Sequence, residues 1–313
     1  MNETRAKTIR LDDLTSLRVT GSDASKFLHA QFTNDLANLA VNSWQYSGYC
    51  TPKGRLLVFM TIARLDKNEF LLILPAEISD KILSRLRMFV MRDDVMITPQ
   101  DVNTSITGIL GAADNLSGIG LTQKKENGKL SRDGNNNLLT IDYESGRFLY
   151  IGKSIKFDTN SSTDRSNWTL LDIQAGIPAV VLATQETFVP QMVNLDLIGA
   201  VNFKKGCYPG QEIVARVHYL GKIKQRMFVA ETGRKELAQP NDKIYIAGQP
   251  DKAAGTVVQA AISDSNQCLQ VVLQTKVIDE NLDLRLGSPD GEKLTIGTQP
   301  YSVLSVSGGE EEN

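Results

Sequence analysis

Cysteine is scarce in this 313-residue chain: Cys50, Cys207 and Cys268 are odd in number and widely spaced. That spacing suggests neither a disulfide framework nor a CxxC zinc site. Histidine is scarcer still. With only His29 and His218 present, a His-rich metal centre is excluded, and a Ser-His-Asp or Cys-His site would have to use one of the two without a supporting local motif. No GxGxxG or Walker loop occurs, so a nucleotide-dependent reading has no support. Nowhere do about eighteen apolar residues run together, and the opening Met1-Asn2-Glu3-Thr4-Arg5-Ala6-Lys7 lacks the apolar core of a signal peptide. The expectation is a cytoplasmic protein with no membrane partner. Charge of one sign is also lacking. A formal net charge of −2 argues against a generally basic nucleic-acid binder.

What is present is apolar material enough for a sizeable core, 41% of the residues, which at this length divides more readily into two or three domains than one. Ser16 to Thr20 reads as a strand and Ala24 to Leu36 as a helix capped by Ser22 or Asp23. Arg55 to Leu65 and Glu69 to Leu74 read as strands about an Asp-Lys-Asn turn. A βαββ beginning is implied. Ile78, Ile82, Leu83, Leu86 and Phe89 recur at helical intervals through Ala76 to Phe89, ahead of a strand near Val95-Met96-Ile97. The mixture is α+β without regular alternation. Gln123 to Asn137 and Asp158 to Asn167 read as exposed loops or weakly ordered turns. After Gln225 short strands follow at close intervals: Arg226 to Glu231, Lys243 to Ala247, Gly255 to Ala261, Cys268 to Leu273 and Leu294 to Ile296. That spacing predicts a small antiparallel barrel. The expected division is 1–225, a barrel over 226–306, and a disordered acidic tail over 307–313.

The most informative stretch is Lys204-Lys205-Gly206-Cys207-Tyr208-Pro209-Gly210-Gln211-Glu212. Two glycines and a proline predict a bent loop that presents the thiol. Ile213, Val214, Val217 and Leu220 then recur at helical spacing, with Gly221 where a C-cap is expected. Two lysines and a helix start beside a cysteine favour the thiolate, the form that acts as nucleophile or as metal or cluster ligand. Cys50 and Cys268 read instead as core positions on strands. The segment 204–226 holds Lys204, Lys205, Arg216, Lys222, Lys224 and Arg226 against Glu212 alone. Such a strip suits either a polyanion, such as RNA or a polyglutamylated tail, or a solvated face balanced by acids elsewhere.

Phe188-Val189-Pro190-Gln191-Met192-Val193-Asn194-Leu195-Asp196, Gly199-Ala200-Val201-Asn202-Phe203, the cysteine block and Val214-Ala215-Arg216 together resemble the signature of the YgfZ family of folate-binding proteins. The resemblance extends to Ala175-Gly176-Ile177-Pro178, Phe89 to Val95, Cys50-Thr51-Pro52-Lys53-Gly54-Arg55 and Phe27 to Asp35, and so covers most of residues 9 to 275. It implies the architecture of the related glycine-cleavage aminomethyltransferase, two intertwined α+β subdomains and a C-terminal barrel around a folate channel. It also implies a ligand, tetrahydrofolate or another reduced folate. Trp168 matches an aromatic folate contact of the family, an indole equally suited to a structural place at a domain seam.

Departures from the family pattern carry information too. Leu14 stands where a second aromatic contact is expected, and Gln174 where the aminomethyltransferases use a pterin-binding Glu; an amide offers one acceptor and one donor where a carboxylate accepts twice. Val58 and Phe59 follow Lys53-Gly54-Arg55 where those enzymes carry paired aspartates, which removes the main acid/base candidate for aminomethyl transfer. Asp35 is expected to help end the first helix and Asp196 to sit in a turn. The function implied is support of iron-sulfur proteins, and through them of tRNA modification, with tRNA-methylthiolating enzymes as clients. In that reading Cys207 is the nucleophile or transient cluster ligand, Lys204 and Lys205 favour its thiolate, and Gln211 and Glu212 shape the loop or accept protons. The alternatives are a folate-dependent one-carbon transferase or demethylase, and a non-catalytic RNA-binding module stacking bases on Tyr208 and Tyr219.

Overall fold

The computed structural model describes residues 6–111, 121–154, 165–220, 223–233, 236–250, 253–263 and 266–303. They form two compact units that interleave along the chain: residues 1–31, 35–47 and 60–165 make one, and 32–34, 48–59 and 166–313 the other.

The first unit opens with β1 (Lys7–Arg10) and β2 (Leu14–Thr20), where Leu17 and Val19 are buried and alternate with Arg18. Next come α1 (Ala24–Gln31), β3 (Ser43–Cys50), β4 (Leu56–Asp66), β5 (Glu69–Pro75), α2 (Ala76–Val90) and β6 (Met96–Pro99). α2 buries Ile78, Ile82, Leu83 and Leu86 of the apolar stripe that its spacing predicts, whereas Phe89, the last residue of that stripe, is exposed. β7 (Thr104–Leu110), β8 (Leu130–Asp133), β9 (Asn136–Asp142) and β10 (Arg147–Lys153) complete it. The sheet orders are β3-β4-β5-β2-β6 and β1-β7-β10-β9-β8; β3 and β4 run on from one unit into the other.

The second unit contains α3 (Arg165–Gln174), α4 (Gln211–Tyr219) and the predicted barrel. The barrel is built of β11 (Gln225–Thr232), β12 (Lys243–Ile246), β13 (Gly255–Ser263), β14 (Asn266–Gln274), β15 (Leu284–Leu286) and β16 (Glu292–Ile296), with the short α5 (Thr275–Asp279) between β14 and β15. These strands close in the order β11-β14-β13-β12-β15-β16. Ile244, Val257, Leu269, Val271 and Leu273 fill the interior, and closure leaves no unpaired edge.

Several expectations need correction. The first helix stops at Gln31 instead of running to Leu36, because the next residues are used otherwise: Phe32 bridges Tyr49, and Thr33 and Asn34 bond the chain near residue 200. Ser22 and Asp23 do not spend their side chains on that helix; Ser22 Oγ and N donate to Asp94 Oδ2, and Asp94 N donates to Asp23 Oδ2. The beginning is richer than βαββ, since β1 precedes β2 and β3 precedes β4. The polar stretch 123–137 holds β8 and the start of β9, an edge hairpin whose polar residues suit an exposed edge. β15 is a further strand that the sequence did not reveal. Gly221, the segment 307–313 and most of 158–167 lie outside the described residues.

Candidate functional site

Cys207 is exposed, whereas Cys50 at the end of β3 and Cys268 in β14 are buried. Burial pushes the Cys50 thiol up, and burial together with Glu231 pushes Cys268 up to about 11. A raised value favours the thiol in the fold. That contribution is complete below the ~8.5 of a free thiol and is lost as pH rises through about 11. Native protein treated with iodoacetamide near neutral pH is therefore expected to be alkylated at Cys207, with Cys50 and Cys268 modified only after unfolding. Peptide mapping that finds Cys50 or Cys268 labelled as fast as Cys207 would contradict this placement.

The loop that carries Cys207 is braced from parts of the chain far away in sequence. Gly48 N donates to Thr33 Oγ1 at 2.8 Å, Thr33 Oγ1 donates to Ala200 O at 2.7 Å, and Asn34 Nδ2 to Gly199 O at 2.8 Å. Asn202 Oδ1 accepts from Lys204 N at 2.8 Å, which forms the turn into the loop. Lys204 is exposed, but Lys205 is buried: its Nζ donates to Phe32 O at 2.6 Å and lies 4.9 Å from the centre of the Tyr208 ring. Tyr208 is buried as well, its hydroxyl without a partner among the described residues, and burial first and then Cys50 push its phenol up.

Gly210 opens α4 in the left-handed region, φ 83°. It abuts the tight Thr51–Arg55 turn between β3 and β4, where Gly54 also has a positive φ of 70°. A Cβ on Gly210 would stand 2.5 Å from Thr51 O and 2.7 Å from Gly54 Cα. The two glycine-containing motifs are thus the two sides of one backbone contact. Gln211 Nε2 reaches back to Lys205 O at 3.3 Å, and Glu212 pairs with Arg216 one turn on, at 2.7 Å on the surface. Gln191 Nε2 donates to Val214 O at 2.7 Å and so anchors α4 from below.

Asp196 is more than a turn residue. It takes a two-pronged ion pair from Arg226, at 2.6 and 2.9 Å, with both side chains almost wholly buried. Arg226 Nη1 also donates to Gln191 O at 2.9 Å, Asn194 Nδ2 donates to Met227 O at 2.7 Å, and Tyr301 Oη donates to Gly176 O at 2.9 Å. Asp35 accepts from Asn38 N and Nδ2, beside His29. Burial acts to raise its carboxyl, and the Asn38 bonds and His29 outweigh that and hold it low.

The structure brings Cys207, Lys205, Gln211 and Glu212 together on one loop and helix. Trp168 and Gln174 share α3, but six positions apart they point about 120° from each other. Trp168 is buried at 5% exposure and Gln174 lies on the surface. Leu14, half-buried, begins β2 in the other unit. Tyr208 is too buried to stack a base, and a different aromatic group forms nearby. Phe203 and His218 stack with ring centres 3.7 Å apart, and Tyr219 sits edge-on to both. Sequence reasoning missed this group, because Phe203 and His218 are separated by the whole cysteine loop. It also missed the brace from Thr33 and Asn34, although both stand in a motif singled out in the sequence.

Residues 3–115 match the model of the GCVT N-terminal domain. The chain is 30% identical over 297 residues to the tRNA-modifying protein YgfZ of Blochmanniella pennsylvanica, covering 89% of each. It is 27% identical to YgfZ of Shigella sonnei, over 94% of this chain and 92% of that one. In fold it is similar to the glycine cleavage system aminomethyltransferase T of Bartonella henselae, with a TM-score of 0.75 at 14% identity over 95% of this chain and 87% of the other. The chain belongs to the family of the tRNA-modifying protein YgfZ.

Proposed function

We propose that this chain is a folate-binding accessory protein of tRNA modification, acting in the cytoplasm, that uses Cys207 to support assembly or repair of iron-sulfur clusters in its clients. The carrying observation is a single exposed thiol on a loop held by buried polar contacts, while the other two thiols are buried. Such rigidity has a purpose if the sulfur must meet a partner in a fixed position. One thiolate is a quarter of an ordinary cluster's ligand set. No group of three or more His, Cys, Asp or Glu that could hold a metal occurs among the described residues. The remaining ligands then come from the client, tRNA-methylthiolating enzymes being the class in view. Lys205 and Gln211 serve this reading by shaping the loop, and Glu212, paired with Arg216, by fixing the first turn of α4.

The residues fit a reduced folate in part. Gln174 presents one acceptor and one donor to a pterin edge. Trp168 has only a small part of its indole open, so it serves as wall more than as open platform. Bound folate would supply a carrier of one-carbon units. Val58 and Phe59 are buried apolar residues of β4, which supports a role other than standard aminomethyl transfer. Calorimetry is expected to show saturable binding of tetrahydrofolate, weakened about tenfold by Trp168→Ala, the value of an aromatic contact of roughly 1–2 kcal/mol. An unchanged dissociation constant in a folded variant removes Trp168 from the site. The function itself is tested in cells lacking their own YgfZ: expression of this chain is expected to restore tRNA methylthiolation, and failure to do so despite normal protein levels sinks the reading.

A second reading, an RNA contact beside the loop, is favoured by the aromatic group of Phe203, His218 and Tyr219, with exposed Lys204 next to Phe203 in the chain. Bases stack on such groups while cations take the phosphates. tRNA binding that survives moderate salt and falls on Tyr219→Ala supports it, and binding that collapses steeply with salt marks a loose polyanion contact.

A further inference from the structure

Within the first unit, the last turn of α2 and the residues that follow it form a surface that is apolar and basic at once. Met88 is 68% exposed, Phe89 42% and Met91 86%, although the earlier apolar residues of the same helix are buried. Met91 also holds a backbone conformation, φ 45° and ψ −100°, that lies outside the left-handed helical region and is sparse for any residue with a Cβ. Glycine or asparagine is the usual residue where a helix ends at positive φ. A long side chain is thus kept in a strained place with most of its surface in water, a combination that persists where a function needs the side chain.

From Ser84 to Arg92 the chain carries Arg85, Arg87 and Arg92 and no acid. Arg85 places its guanidinium 5.7 Å from the centre of the Phe89 ring. Arg87 Nη2 donates to Ile97 O at 2.6 Å, which leaves other donors of its five N–H groups. Arg92 is exposed and has no ion pair among the described residues. The two acids that come next are engaged elsewhere: Asp93 lies 3.8 Å from Lys26 Nζ, and Asp94 Oδ2 accepts from Ser22 N and Oγ. The negative end of the helix dipole accounts for arginines at this position, but not for the exposed Met88, Phe89 and Met91 among them.

We propose that this surface docks an acidic amphipathic helix of a partner protein, whose apolar side chains meet Met88, Phe89 and Met91 and whose carboxylates face Arg87 and Arg92. Met, aromatic residues and Arg are the ones enriched in protein–protein interfaces, where Lys is depleted, and Met adapts to partners of varied shape. A membrane surface would call for Trp or Tyr and for Lys, and none of these occurs between Ile82 and Met96. RNA would need more than one open aromatic face. A second copy related by a two-fold axis would set arginine against arginine. Addition of a strand to the edge strand β6 is blocked, since Arg87 takes the Ile97 carbonyl and Pro99 has no N–H. The inference does not rest on the folate or the cysteine reading.

Fluorescence anisotropy with the full chain tests it, using a labelled synthetic peptide of about 18 residues, five helical turns, with Leu at helical spacing and Glu and Ala between. The controls are a scrambled peptide of the same composition and the same pattern with Lys in place of Glu. The patterned acidic peptide is expected to saturate one site, the scrambled one to bind at least tenfold more weakly, and the Lys peptide not to bind. Met88→Glu and Arg92→Glu are expected to weaken binding at least tenfold, and Val102→Glu, at an isolated exposed apolar residue beyond the far end of β6, to leave it unchanged. In Met91→Gly binding is expected to fall at least tenfold while the melting temperature holds or rises, because glycine accepts this backbone conformation without strain. A lower melting temperature for Met91→Gly would assign the side chain to packing and overturn the proposal. Absence of saturation up to about 1 mM, equal binding of either control peptide, or folded variants that bind as the parent does would overturn it as well. So would vesicles of phosphatidylserine, tRNA or a second copy of the chain binding in a manner that Arg92→Glu abolishes while the acidic peptide fails to bind, by giving the surface to that occupant.

Discussion

Asp196→Ala is expected to cost this protein about 3–5 kcal/mol of stability, the loss typical when one member of a buried ion pair is removed and the other charge is left uncompensated. Both partners are almost wholly out of water, and the pair is two-pronged, so little solvent is available to take Asp196's place against Arg226. At roughly 2–4 °C per kcal/mol for a unit of this size, the melting temperature falls by about 10 °C. The damage should spread in a definite direction. Arg226 lies on the first barrel strand and also holds Gln191 O, while Gln191 holds the Val214 carbonyl of α4, the helix that follows the cysteine. The expectation is faster hydrogen exchange in α4, with the barrel interior last to open. Replacing both partners with apolar residues of similar size, Asp196→Leu with Arg226→Met, should recover much of the loss, because a buried pair contributes little over a well-packed apolar substitute. A drop below about 1 kcal/mol for Asp196→Ala would show that the pair is not the fastening described.

The residues that proved legible in the sequence are those whose information is local. Five of the six barrel strands could be read from their close spacing and turn residues, α2 from its apolar stripe, and the cysteine loop from two glycines and a proline within five positions. What stayed hidden depends on partners far along the chain. Nothing near Asp196 tells that Arg226 will arrive thirty residues later, and nothing near Lys205 tells that its ammonium will reach the Phe32 carbonyl instead of remaining on the surface. β3 was missed because its Ser, Gly and aromatic residues do not alternate; it is defined by its neighbours in the sheet. β8 was masked by polar residues that suit an edge. Gly176 shows the same limit: its motif was visible, but its reason is tertiary, since a Cβ there would run into the ring of Tyr301.

Cys207→Ser is expected to abolish the restoration of tRNA methylthiolation in cells lacking their own YgfZ, while leaving the fold and folate binding as they were. Serine keeps the volume and polarity of the side chain but is far weaker as a metal ligand and as a nucleophile at neutral pH. Because Cys207 is exposed and no described contact of the loop depends on its sulfur, the brace from Lys205 to Phe32 and from Gln211 to Lys205 should stand unchanged. Cys50→Ser places a hydroxyl in a fully buried site and Cys268→Ser does nearly so. Those variants should lose stability but keep function in proportion to the folded protein that remains, the reverse of Cys207→Ser. Gly210→Ala separates the sulfur from its placement. A Cβ at φ 83° meets Thr51 O and Gly54 Cα, so the loop must shift although the thiol is retained. If position matters as well as chemistry, Gly210→Ala should lower methylthiolation at least tenfold while Cys207 still alkylates. Full activity in Cys207→Ser would reassign the loop as a docking surface, and full activity in Gly210→Ala alone would leave the thiol essential but its bracing dispensable.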